Sequence, residues 1–322
     1  MIPDRASLDR FAGDLDALVA RDARVGIAVS GGPDSLALLL LAAAVRSGSV
    51  VAATVDHGLR EGSTAEARAV ADICGRLGVP HSILVAEWGE VPTTALQERA
   101  RAERYRLLDR WAGEEGLAAV LTAHHADDQA ETLLMRLNRG AGVRGLGAMR
   151  PSARVPGSER TLLRPLLGWR RADLERLCAE SGAEPADDPS NADMAFERVR
   201  VRRALAGASC LDPAAMADSA AHLADADEAL DWATDQAWTS HAATEGEAVT
   251  VRPEHLPHEI RRRLVARAVA QLASEGNGEA LRGRELDRLL GELESGRTAT
   301  LRGVACSGGD AWRFTSAPPR RH

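Results

Sequence analysis

The chain contains no lysine: all 40 of its basic residues are arginine. Arginine-biased codon usage is the plainer reading of the bias, but the absence carries chemical consequences of its own. No Schiff-base lysine is available, and no Walker-type phosphate loop can form without its Gly-Lys pair. Cysteine is nearly as scarce. Cys74, Cys178, Cys210 and Cys306 are far apart and form no C-x-x-C pair. This excludes a sequence-local zinc or iron–sulfur site and a disulfide framework, and points to free thiols in a reducing cytosol. Aromatic residues make up 3%, so the core must be built from Ala, Leu and Val. The longest apolar run, Leu36 to Val45, is too short to span a bilayer and suits a buried helix. Residues Met1 to Arg10 carry charges and no apolar h-region, unlike a signal peptide. A cytoplasmic protein without membrane attachment is expected. There is no positive excess either. The net charge of −7 excludes a general nucleic-acid coat, so any nucleic-acid contact must use a local patch. No internal repeat is evident.

At 322 residues the chain exceeds what one core usually organises, and two domains are expected. Apolar runs at 25–30, 50–56, 81–87 and 118–123 alternate with helical patterns at 36–46, 63–77, 94–115 and 126–139. Such alternation predicts a doubly wound α/β domain on a parallel sheet. It stops near Gly140, where Gly140, Gly142, Gly145 and Gly147 crowd one loop. Helices are expected at 171–181 and 196–205. Asp212-Pro213 then signals the start of another. Along that helix Met216, Leu223, Leu230 and Ala237 recur every seven residues, giving it one apolar face. Two more helices and β segments at 298–301 and 312–315 complete the pattern. The expected division is 1–210 for an α/β catalytic domain and 211–322 for a smaller, mainly helical domain.

Ser30-Gly-Gly-Pro-Asp-Ser35 lies between the first apolar strand and an apolar helix. A strand feeding a helix N-terminus makes an anion site from free amides and the helix dipole. Gly31 and Gly32 let the backbone approach a phosphate closely, Pro33 suits the first helical turn, and Ser30 and Ser35 offer hydroxyl donors. Asp34 is the unexpected member. A carboxylate beside phosphates requires an intervening cation, and Mg²⁺ fits. Capping of a tight turn by Asp34 or Ser35 is the plainer alternative.

S-G-G-x-D-S resembles the pyrophosphate-binding loop of the PP-loop ATP pyrophosphatases. That resemblance implies a protein that binds ATP, adenylates an oxygen, releases pyrophosphate and lets a nucleophile displace AMP. At the end of the second strand comes Val55-Asp-His-Gly-Leu-Arg60. Asp56 and His57 could meet ATP there, or Asp56 could cap a turn.

The fourth strand leads into His124-His-Ala-Asp-Asp-Gln-Ala-Glu-Thr132. Continued as a helix, this segment puts His124, Asp128 and Glu131 on one face, with Asp127 and Glu131 four apart. Like charges so spaced repel at a bare surface and make more sense facing a cation, Mg²⁺ or a substrate ammonium. An acidic first turn that complements the helix dipole, or a His/carboxylate metal site, are alternatives. This string, and the Gly-rich stretch after it, resemble the tRNA(Ile)-lysidine synthetases. The resemblance assigns catalytic and lysine-binding roles to Asp128 and Glu131. It also assigns a catalytic arginine to Arg104, chosen among Arg99, Arg101 and Arg104. Asp187-Asp-Pro-Ser-Asn191, followed by Arg198-Val-Arg-Val-Arg-Arg203, is similar to the family's turn leading to an active-site arginine. Arg198 and Arg202 are the candidates, although Val199 stands where the family has Asn. Between Arg136 and Arg203 there are 14 Arg against 9 Asp and Glu, a local excess suited to RNA phosphates.

Taken with the resemblance, these motifs imply attachment of L-lysine to the wobble cytidine of tRNA(Ile) bearing a CAU anticodon, at the expense of ATP and with Mg²⁺. A tRNA thiolase of the same superfamily is the alternative, but it needs catalytic cysteines. A nucleotide-binding module without catalysis would not need Asp34, Asp128 and Glu131 together. Oligomeric state is not legible.

Overall fold

Strand residues here are apolar on both faces, as a parallel sheet covered on both sides requires. Val25 and Ile27, Val50 and Ala52, and Ala119 and Leu121 point into one core. The residues between them, Val51, Ala53 and Val120, point into the other. The computed structural model describes residues 3–59, 62–88, 96–185, 193–273 and 283–317. The chain forms two compact units, Met1–His222 and Leu223–His322. The functional division at residues 210 and 211 stays a proposal.

The first unit runs through α1 (Arg5–Asp16), β1 (Val25–Ala28), α2 (Pro33–Val45), β2 (Val50–Asp56), α3 (Ser63–Leu77), β3 (His81–Val85) and α4 (Leu96–Glu114). It continues with β4 (Ala119–Leu121), α5 (Ala126–Asn138), α6 (Val143–Leu146), β5 (Ser152–Arg154), β6 (Thr161–Leu163), α7 (Arg171–Glu180) and α8 (Glu197–Gly207). The sheet order is β3-β2-β1-β4-β6-β5. All neighbours are parallel except β5 and β6. The chain therefore builds outward from β1 through β2 to β3, then returns to lay β4 on the other side of β1. The crevice at that reversal, beyond the carboxyl ends of β1 and β4, is where open α/β sheets bind ligands.

One core packs α1, α2, α3 and α7 against the sheet through Phe11, Leu36, Leu40, Ile73 and Leu174. The other packs α4 through Tyr105, Leu108 and Trp111. Residues 36–42 of α2 are all buried, as the apolar run predicts. The expectation that alternation ends near Gly140 needs correction. Beyond that stretch, which holds the short α6, the chain lays β5 at the sheet edge, then turns and places β6 between β5 and β4. Residues 155–159 form the turn between those strands. Neither is marked by a sustained apolar run: β5 is Ser-Ala-Arg and β6 is Thr-Leu-Leu. Helix α1 also escaped the sequence pattern. Asp4 caps it, its carboxylate accepting from the Ser7 amide at 3.0 Å.

Helix α9 (Pro213–His241) contains the unit boundary, and its buried positions include Ala217, Ala220, Ala224, Asp227, Thr234 and Ala237. Of the Met216/Leu223/Leu230/Ala237 series, Ala237 is buried and Leu230 is half-buried against the core, while Met216 and Leu223 flank buried alanines at 217 and 224. In the second unit follow β7 (Ala242–Glu245), β8 (Ala248–Val251), α10 (His258–Leu272), α11 (Gly283–Glu294), β9 (Thr298–Leu301), β10 (Val304–Ser307) and β11 (Trp312–Ser316). The helices pack on an antiparallel sheet of order β7-β8-β11-β10-β9, a fuller sheet than the two β segments legible in sequence. Among the described residues no helix is long and apolar enough to cross a membrane.

Candidate active site

Three connections leave the carboxyl edge of the sheet side by side. After β1, Gly31 takes φ +86°, a conformation that favours glycine. Gly32 is the N-cap of α2, with Pro33 at its first turn. The first intrahelical amide is that of Leu36, bonded to the Gly32 carbonyl. The amides of Asp34 and Ser35 thus precede the ladder and belong to the anion-attracting end. The Ser35 hydroxyl closes the loop from inside. It donates to the Gly32 carbonyl at 2.9 Å and accepts from the Ser30 amide and hydroxyl, each at 3.1 Å. Asp34 does not cap the helix. Its Oδ1 is buried without a hydrogen-bond partner among the described residues, and its Oδ2 lies 3.6 Å from His125 Nε2.

After β4 the helix begins at Ala126 rather than at His124. His125 is the N-cap: its Nδ1 accepts from the Asp128 amide, while Asp128 Oδ2 accepts from the His125 amide, both at 3.3 Å. With Nδ1 an acceptor, the ring proton sits on Nε2, facing Asp34 and Asp128 Oδ2, the latter at 3.5 Å. Burial opposes a charge on this ring, but the carboxylates of Asp34, Asp128 and Asp127 outweigh it and raise its proton affinity. His125 was not singled out by the sequence, because histidine is not a favoured cap. The available signal was a carboxylate three residues after it.

The acidic cluster divides. Asp128 and Glu131 face α8. Glu131, 2% exposed, accepts from Arg202 Nε at 2.6 Å and from Nη2 at 3.3 Å. Arg198 Nε lies 3.7 Å from the same carboxylate, and its Nη2 donates to the Thr132 hydroxyl at 3.2 Å. Asp128 Oδ1 stands at 3.8 Å from Arg198 and 4.0 Å from Arg202. Glu131 strengthens the Arg202 charge against the cost of its burial. Asp127 is committed elsewhere, contrary to its expected place with Glu131. It accepts from Arg170 at 3.0 and 3.1 Å and from the Arg171 amide at 2.8 Å, tying α5 to the start of α7. His124 is likewise off the helix. Its Nδ1 pairs with the Thr122 hydroxyl at 3.0 Å, and burial depresses its pKa to about 4, so it stays neutral.

After β2, Asp56 performs the turn-capping role. Its carboxylate accepts from the Gly58 amide at 2.9 Å and from the Ser63 and Thr64 hydroxyls at 2.7 Å, which leaves little of it for a nucleotide. What it positions is His57, whose carbonyl accepts from the Trp88 indole at 2.7 Å. Burial, then Arg104, lower the His57 pKa, and its Nδ1 is buried without a partner among the described residues. Of the three arginine candidates on α4, Arg99 and Arg101 are exposed and Arg104 is half-buried. Burial lowers the Arg104 pKa, and it forms no ion pair among the described residues. The Asp187–Asn191 turn and Arg60 lie outside the described residues.

Cys178 is buried, and its thiol is pushed up by burial and then by Asp34. The Cys74 and Cys306 thiols are pushed up to about 11 by burial. None of the three supplies the thiolate that sulfur transfer needs.

Residues 5–208 match the family model of the PP-loop domain. A tRNA(Ile)-lysidine synthase from Novosphingobium aromaticivorans is 49% identical over 97% of this chain and 94% of its own. One from Zymomonas mobilis is 43% identical over 92% and 90%. Among solved structures, the U34-tRNA thiolase NcsA from Methanococcus maripaludis aligns at a TM-score of 0.57 with 16% identity. It covers 68% of this chain and 77% of that one, a likeness of fold alone.

Proposed function

The chain belongs to the tRNA(Ile)-lysidine synthase family of PP-loop enzymes, and we propose that it joins L-lysine to C2 of the wobble cytidine in tRNA(Ile) with a CAU anticodon. The observation that carries the proposal is a continuous line of groups across the β1/β4 crevice. It runs from Asp34 at the phosphate loop, through His125, to Asp128 and Glu131 with their two arginines.

Loop 30–35 receives the triphosphate of ATP. Mg²⁺ fits here, because Asp34 Oδ1 is a buried oxygen without a partner and a single carboxylate plus phosphate oxygens is a usual donor set for that ion. Bound there, it would neutralise phosphate charge. The cytidine O2 attacks the α-phosphorus, and pyrophosphate leaves. The lysine side-chain amine then attacks C2 and AMP departs with the oxygen, while the amine loses a proton. Glu131 is held at hydrogen-bonding distance by Arg202. Asp128 stands 3.8 Å or more from both arginines, so it is the freer proton acceptor. Arg104 and Arg198 can meet the negative charge developing on phosphorus. Asp127, with Arg170, positions the helix that carries Asp128. The setting would be the cytoplasm, where free lysine, ATP and tRNA meet.

The test is incubation with ATP, Mg²⁺, labelled L-lysine and unmodified CAU tRNA(Ile). Alkali-stable label on the wobble nucleotide is expected, and Asp34→Ala should abolish it. Release of AMP and pyrophosphate with a different acceptor, and no label on this RNA, would overturn the substrate assignment and leave the ATP chemistry standing.

A further inference from the structure

One buried cation at the carboxyl edge of the sheet has no counter-charge among the described residues. Arg164 follows β6 directly and is 9% exposed. Its Nη1 donates to the Arg150 carbonyl at 2.8 Å. Its Nε is buried without an acceptor, and among the described residues no carboxylate pairs with it. Burying a guanidinium this way is costly unless something else completes it. The described residues supply no such partner, whereas Arg202 in the same unit has Glu131 and Arg170 has Asp127.

The parallel topology specifies where this cation lies. The carboxyl ends of β2, β1, β4 and β6 form one edge. Along it stand His57, the phosphate loop, His124 and Arg164 in turn. Arg104 joins them from α4. It shares Tyr105 and His124 with Arg164 as electrostatic neighbours. Among the described residues neither arginine pairs with a carboxylate, and both act on His124 together with Asp128, at the edge of the crevice. A guanidinium fork matches a phosphate oxygen pair, a geometry that lysine lacks, and Arg164 has its Nε donor unused among the described residues.

We propose that Arg164, together with Arg104, forms a second phosphate-binding subsite beside loop 30–35, taking one phosphate group of a bound substrate. The inference rests on the proposed function for the identity of the substrates, and two of them carry that chemistry: the nucleotide and the RNA backbone.

Equilibrium binding of two probes to the full chain and its variants decides the matter. One probe is ATP with Mg²⁺ in the absence of RNA. The other is a CAU anticodon stem-loop RNA titrated at several salt concentrations. Arg164→Gln should weaken one probe about tenfold or more, the usual scale for a charged hydrogen bond. A loss confined to ATP assigns the nucleotide phosphate. A loss confined to RNA, with the salt slope reduced by about one, assigns a backbone phosphate. Arg164→Lys keeps the buried charge and reach toward the Arg150 carbonyl, so it reports where the Gln variant fails to fold. Having lost the fork, it should bind the same probe severalfold more weakly. Wild-type affinity for both probes in whichever variant folds overturns the proposal. Neither readout requires turnover. A wild-type chain that binds both probes but attaches no lysine overturns the proposed function instead, and leaves the subsite to be judged on its own numbers.

Discussion

Asp127 and Asp128 are chemically identical neighbours with separate tasks. A helix turns 100° per residue, which sends one carboxylate to Arg170 and α7 and the other to the crevice. His124 and His125 divide in the same way. One is held neutral by burial, and the other gains proton affinity from three acids that outweigh its burial. This sets a pH dependence whose sign can be worked out. The His124 pKa is about 4 in the folded chain, against an ordinary histidine value of 6.5. Between those values the unfolded chain takes up a proton that the folded chain refuses. The contribution is intact above about pH 6.5 and is lost as pH falls toward 4. Urea denaturation across that window should show the wild type losing more stability on acidification than His124→Gln. Parallel curves for the two would refute the assignment.

At the scale of elements, close packing across β1 sets what the sheet tolerates. A Cβ on Gly26 would lie 2.5 Å from Leu117 Cδ1 and 2.6 Å from the Trp111 ring. Overpacking a buried site costs about 1–3 kcal/mol, so Gly26→Ala should lower the melting temperature by at least a few degrees. Gly13 provides the contrast. It lies inside α1 with nothing within 4 Å of an added Cβ. Gly13→Ala should raise stability by about 0.5–1 kcal/mol. A thermal melt that shifts both variants the same way would contradict the packing account. Strand length also explains what could be read in advance. The seven residues of β2 make an apolar run that can be read in advance, whereas the three of β6 owe their place to β4, to which they bond in register.

For the molecule as a whole, a net charge of −7 opposes RNA, and a local arginine face must overcome it. Helix α8 does two things with its arginines. Arg198 and Arg202 turn inward to Asp128 and Glu131, while Arg203 is exposed and makes no ion pair among the described residues. If that outer face meets tRNA, Arg203→Gln should weaken binding to all RNAs alike. The slope of log affinity against log salt should fall in magnitude by about one. An unchanged slope would place the RNA elsewhere.

By itself the sequence determined whatever depends on neighbours along the chain. This includes the strand–loop–helix signal at 30–35, the alternation that makes a parallel sheet, and the acidic start of α5. It also includes the absence of lysine and of paired cysteines, which removes whole classes of chemistry. These are short-range properties, governed by backbone freedom, period and spacing. Only the tertiary structure decided which of the acids share the crevice, that Asp56 serves its own loop, that His125 links Asp34 to Asp128, and that Arg164 stands without a counter-charge among the described residues. Those facts depend on residues dozens of positions apart meeting at one sheet edge. There, burial and charge pairing are set by the order of the strands rather than by the order of the chain.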